Sequence, residues 1–107
     1  MKKKMDFPDK NVNQGVPVPM TKQAIIDEIE KRTNSRYNSW HIGLTNDPDK
    51  RRGECETEGE RTDFWVDWRA DSAEDAKEIE SRYSNRGMKL VSAGQLAPRR
   101  DAFVFIF

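Results

Sequence analysis

With 107 residues the chain has room for one hydrophobic core and no second domain. Apolar residues make up 35% and charged residues 36%, so the core must be small, and three Trp, two Tyr and five Phe supply much of its buried area. A lone cysteine, Cys55, excludes an internal disulfide and suits a reducing compartment.

The zero net charge hides a segregation, because residues 53–80 carry eleven acidic and three basic side chains while residues 81–107 carry five basic and one acidic. That pattern argues against a uniformly basic nucleic-acid binder. Folding can still gather Arg51, Arg52, Arg82, Arg86, Lys89, Arg99 and Arg100 on one face. The competing reading is that these charges only solvate a small domain.

Residues 1–19 hold Pro8, Gly15, Pro17 and Pro19 among polar residues without either periodicity, and are expected to form a disordered or flexible arm. Residues 20–107 are then the single domain. Met1–Lys4 has the basic start of a signal peptide, but Asp6-Phe7-Pro8-Asp9-Lys10 stands where an apolar stretch would follow. The expectation is a soluble cytoplasmic protein with no membrane partner.

From Thr21, a fitting N-cap, Ala24, Ile25, Ile26 and Ile29 recur at helical spacing over Lys22, Asp27, Glu28, Lys31 and Arg32. This helix should end near Thr33 and Asn34. A strand is expected at about residues 38–45, with Trp40, Ile42 and Leu44 on one side and His41 and Gly43 on the other. Asp47 reads as the next N-cap with Pro48 at the first helical position, where its missing N–H costs nothing. Gly53 and the Glu-rich run to Gly59 should keep that helix short.

Residues 62–69 alternate Phe64, Val66 and Trp68 against Trp65, Asp67 and Arg69, the period of a second strand. Ser72 caps a third helix with Ala76, Ile79 and Tyr83 as its buried stripe, and Gly87 offers a left-handed terminator from which Met88 packs back on Tyr83. Residues 88–101 read as a loop through Gly94 and Pro98. The chain ends in Ala102-Phe103-Val104-Phe105-Ile106-Phe107, apolar at every position and therefore expected to be a strand covered on both faces. The order is α-β-α-β-α-β, an α+β domain with a small three-stranded sheet flanked by helices.

The run His41-Ile42-Gly43-Leu44-Thr45-Asn46-Asp47-Pro48-Asp49-Lys50-Arg51 resembles the second half of the signature of the GIY-YIG endonuclease superfamily, roughly Tyr-Ile-Gly-x-Thr-Asn-(Asp)-x-x-x-Arg. His41 replaces the leading tyrosine. No Gly-Ile-Tyr strand precedes it, the corresponding region being Lys31–Tyr37, and the family's histidine on the following helix falls on Cys55. The family's metal-binding glutamate, in a pattern like Ala-x-x-x-Glu, matches Glu80 in Ala76-Lys77-Glu78-Ile79-Glu80, with Glu78 next if the register slips.

The resemblance implies metal-assisted phosphodiester hydrolysis of DNA or RNA, with Glu80 holding Mg2+ or Mn2+ and Arg51 contacting the phosphate. His41 would act as base in the tyrosine's place, since an imidazole titrates nearer neutrality than a phenol. Arg52, Arg82, Arg86 and Lys89 would join Arg51 in binding nucleic acid. The alternative is a catalytically inactive binding or regulatory module of the same fold, with a protein partner approaching the acidic 53–80 segment.

Each site residue also has a plainer role open to it. His41 can be a hydrogen-bonded residue beside the sheet, Glu80 a helix-surface carboxylate, and Arg51 and Arg52 solvated cations, though a basic pair at a helix start opposes the dipole and suits an anion better. Cys55 reads as a buried, unreactive thiol, and Phe64, Trp65 and Trp68 as core rather than base-stacking residues.

Overall fold

The computed structural model describes residues 18–91, 96–97 and 100–107. Most of the expected arm, and Gly94, Pro98 and Arg99, lie outside the described residues.

The most apolar segment of the sequence takes the place with most burial. Phe103–Ile106 form β4, an inner strand of a four-stranded sheet, hydrogen-bonded to β1 (His41–Thr45) on one side and β2 (Val66–Arg69) on the other. Both pairings are antiparallel, with Gly43 opposite Phe105 and Asp67 opposite Phe105 across the two ladders. A fourth strand, β3 (Lys89–Leu90), pairs in parallel with β1 and completes the order β2-β4-β1-β3. The sheet is therefore mixed and four-stranded rather than three-stranded. β3 lies where a loop was expected, because two exposed residues carry no period and owe their strand form to the β1 backbone beside them.

Strand alternation sorts the side chains onto two faces. On one, Ile42, Trp68, Val104 and Ile106 pack with Ile25, Ile26 and Ile29 of α1 (Lys22–Thr33) and Ala76, Ile79 and Tyr83 of α3 (Ala73–Ser84). On the other, Phe105 and Phe107 meet Cys55 of α2 (Pro48–Thr57), flanked by Trp65 and Val91. Helices thus cover both faces, α1 and α3 on one and α2 on the other.

The helix boundaries follow local chemistry. Thr21, Asp47 and Ser72 each accept a hydrogen bond from the backbone N–H three residues on, and Pro48 opens α2. α1 ends where Asn34 turns left-handed, and α3 is followed by Gly87 at φ 119° with Met88 bonded back to the Tyr83 carbonyl. α2 runs through Gly53 to Thr57, longer than its glycine suggested; nothing crowds that position, and Arg52 to Glu56 spans one turn as an i,i+4 ion pair. Two strands begin late. Tyr37–Ser39 form a 3-10 turn before β1, and the Trp65 N–H bonds the Thr62 carbonyl so that Phe64 sits in a turn ahead of β2.

One polar cluster ties α1 to α3. The Tyr83 hydroxyl donates to Glu30 at 2.6 Å and the Tyr37 hydroxyl donates at 2.9 Å. The Tyr83 bond, more than any other neighbour, holds the Glu30 carboxyl below its ordinary value of 4.5, while burial first and Glu30 second push the Tyr83 phenol well above 10.0. A depressed carboxyl contributes stability that is present above its ordinary value and lost as pH falls; a raised phenol contributes stability present below its ordinary value and lost as pH rises. Glu30→Gln should therefore flatten the acid limb of the stability profile between roughly pH 5 and pH 3. Urea midpoints across that window test it, and an acid limb as steep as that of the unaltered chain would rule this cluster out as its source.

Candidate functional site

The corner from Gly43 to Arg51 is built by the residues that make it resemble a nuclease motif. Thr45 Oγ1 accepts from the Asp47 N–H at 3.0 Å, and Asp47 Oδ1 accepts from the Lys50 N–H at 3.1 Å, so these two side chains turn β1 into α2. Asn46 reaches sideways: its Nδ2 donates to the Asp101 carbonyl at 2.8 Å and its Oδ1 accepts from the Ala97 N–H at 2.7 Å. It thereby fixes the segment that leads into β4. Gly43 is needed because the Phe105 ring lies on it, and a Cβ built there would come within 2.9 Å of Phe105 Cε2.

Arg51 is 8% exposed, with its guanidinium turned inward. Nη2 donates to the Val91 carbonyl at 3.1 Å, Nη1 donates to Glu54 at 3.3 Å, and Glu58 lies at 3.8 Å from the same nitrogen. Nε is buried without a partner among the described residues. The charge that seemed misplaced at a helix start thus clamps α2 to the chain beyond β3. Arg51→Ala should cost about 1–3 kcal/mol in urea denaturation, and Arg51→Lys should recover little because an ammonium cannot reproduce the fork. Unchanged stability in Arg51→Ala would contradict this role.

His41 stacks on the Phe107 ring, with centroids 4.5 Å apart and planes within 6°. Its Nδ1 lies 3.4 Å from the Phe107 carbonyl and its Nε2 3.9 Å from a Glu60 oxygen. Cys55 is buried beneath the same aromatic layer, where burial pushes its thiol up despite the nearby Arg51, so it is a poor nucleophile.

The structure brings His41 and Arg51 to the same face of the sheet but places Glu80 elsewhere. Glu80 follows Ile79 on α3, the helix packed on the opposite face, and Glu78 of that helix pairs with Lys22 of α1. The motif implied that the three side chains converge, whereas the helix carrying Glu80 packs on the layer opposite the one that holds Arg51 and Cys55. Among the described residues no group of three His, Cys, Asp or Glu side chains is placed to hold an ion.

The basic residues divide in the same way. Arg52 donates to the Thr62 hydroxyl and carbonyl at 3.2 and 3.0 Å, stapling α2 to the turn before β2. Arg82 lies over the Tyr83 ring on α3, and Arg86 follows that helix, both with Glu30 among their charged neighbours. Lys89 is exposed on the edge strand β3. Arg51 and Arg52 on one layer and Arg82 and Arg86 on the other do not form one face.

A feature that the sequence reading missed lies at the far end of the sheet. Arg32, Trp40, Asp63, Phe64, Trp65 and Val66 line an open groove of about 550 Å3, and Phe64 is 76% exposed. Alternation had set Phe64 inside with Val66 and Trp68; the turn at Thr62–Trp65 takes it out of the ladder. The Asp63 beside it, a common turn former, was the available signal.

Comparison with known proteins gave no match to a protein-family model, a curated protein or a solved structure. No helix among the described residues is long and apolar enough to cross a membrane.

Proposed function

We propose that this chain is a GIY-YIG-like domain acting as a catalytically silent binding module. The observation that carries the reading is the state of Arg51, whose guanidinium is occupied by the Val91 carbonyl and by Glu54 and Glu58 and so is not offered to a phosphate. Glu80 on the opposite layer supports it further, because hydrolysis needs the metal carboxylate and the arginine on the same phosphorus.

The partner is a basic protein segment. Glu54, Glu56 and Glu58 are exposed along α2, with Lys50, Gly53 and Thr57 completing an open cleft of about 500 Å3 beside Glu54 and Glu58. Three of the eleven acidic side chains of the 53–80 stretch lie together at this helix, where they favour lysine and arginine over a phosphate backbone. Two measurements test the reading. Incubated with Mg2+ or Mn2+, the protein should leave supercoiled DNA and labelled RNA uncut, whereas nicking abolished by Glu80→Ala would establish the nuclease. An oligolysine peptide should shift the amides of Gly53, Glu54, Thr57 and Glu58 in a salt-sensitive way; shifts with an oligonucleotide and none with the peptide would reverse the assignment of partner.

A further inference from the structure

Among the described residues Phe64 is the only exposed aromatic side chain, and it stands in a groove walled by two half-buried tryptophans, Trp40 and Trp65. Trp40 precedes β1 and Val66 opens β2, so the groove crosses the end of the sheet between the two strands that flank β4. An aromatic ring left in water beside others adds nothing to the fold and marks a surface for a partner.

The wall is ordered before anything binds. The Trp65 N–H closes its turn on the Thr62 carbonyl, and Thr62 is itself held by Arg52 and Glu56 of α2. The Trp65 ring stacks on Phe105 with centroids 4.3 Å apart, and its Nε1 donates to Asp67 at 2.8 Å. Such a surface gives up little freedom on binding.

What the groove offers a ligand is one-sided. The Trp40 indole N–H has no partner among the described residues, and since Arg51 Nε is the one sealed side-chain polar atom without a partner there, the Trp40 N–H is open to solvent. Arg32 makes no hydrogen bond among the described residues either: its guanidinium lies 6.0 Å from the Trp68 ring centre and 3.8 Å from Glu28, which also takes Lys31 at 3.2 Å. Asp63, the carboxylate on the wall, is engaged by Arg61 at 2.8 Å. Donors are therefore free while the side-chain acceptor is occupied. The ligand that fits is apolar, rich in carbonyls and poor in N–H groups. A proline-rich segment in the polyproline II form has that character, because its carbonyls have no internal partner, its prolines carry no N–H, and its rings pack against aromatic side chains. The uncommitted charge at the rim is the Arg32 cation, the reverse of the acidic α2 surface, so the two places suit different segments.

We propose that this groove binds an extended proline-rich segment of a partner protein with an acidic residue beside the prolines. The proline rings pack on Trp40 and Phe64, a carbonyl of the segment accepts from the Trp40 indole N–H, and the flanking carboxylate meets Arg32. The inference is independent of what α2 binds and of the chemistry at the corner.

An octaproline peptide capped at both ends, titrated into 15N-labelled full-length protein beside the same peptide ending in two glutamates, tests it. The Trp40 indole N–H should shift saturably together with the Phe64 and Val66 amides. Phe64→Ala, a change at an exposed ring, should weaken binding ~10-fold or more while leaving the urea midpoint unchanged. Trp40→Phe keeps the aromatic wall but removes the donor, and should weaken binding ~2–10-fold. The glutamate-tailed peptide should bind more tightly than plain octaproline at low salt, and should lose that advantage in Arg32→Gln. A glycine-serine peptide of equal length that shifts the same resonances as strongly would overturn the proposal, as would octaproline that binds Phe64→Ala as well as the unaltered chain or moves no groove resonance at all. Groove shifts that grow with protein concentration in the absence of peptide would also overturn it, by giving the surface to a second copy.

Discussion

Deleting Phe103–Phe107 should leave a chain that does not fold, and the single change Phe105→Ala should lower stability by ~3–5 kcal/mol. β4 is bonded on both sides, so its removal separates β2 from β1 and deprives both faces of the sheet of their central side chains. Phe105 has no exposed surface; its ring stacks on Trp65 at 4.3 Å and is the middle of the smaller core with Cys55 and Phe107. That face has few other apolar residues to close the gap. For a domain whose total stability is of order 5–15 kcal/mol, the single substitution is severe and the deletion fatal. Urea denaturation followed by tryptophan fluorescence measures both. A truncated chain that still unfolds cooperatively would show that β4 is peripheral.

Gly43→Ala should also be costly, by about 1–3 kcal/mol, for a reason that distinguishes structure from function at the nuclease-like motif. A methyl at this position meets the Phe105 ring, and the ring cannot retreat because Trp65 is stacked on it. A glycine kept to admit a ligand would behave differently: alanine would weaken binding and leave folding alone. Pairing Gly43→Ala with Phe105→Leu should recover part of the loss, since the smaller side chain vacates the space the methyl needs. Additive losses in the double variant would contradict the clash.

The features legible in the sequence are those decided within a few residues. The stripe Ala76, Ile79 and Tyr83, the caps Thr21, Asp47 and Ser72, and the left-handed Gly87 are all where local spacing put them. The doubly buried terminal strand was readable for a similar reason, since an unbroken apolar run admits no solvent face. What escaped depended on distant partners. β3 exists only beside β1, Phe64 is exposed by a turn that competes with its alternation, and the bridge between Met20 and Ala70 joins residues 50 apart in the chain. The largest error concerns sides of the sheet. Periodicity shows which face of a helix is buried but not which face of a sheet it covers, and so it cannot tell that Arg51 and Glu80 lie on opposite layers.

The central claim is that the strand–helix corner around Gly43 and Arg51 is a structural joint separate from Glu80 and not half of a metal site. Titrating MgCl2 into uniformly 15N-labelled full-length protein tests it most directly, with the Gly43, Arg51 and Glu80 amides followed together. The account predicts no common saturable shift of the three, and the same response in Glu80→Ala as in the unaltered chain. A single Mg2+-dependent transition that moves Gly43, Arg51 and Glu80 in concert, and that disappears in Glu80→Ala, would contradict it.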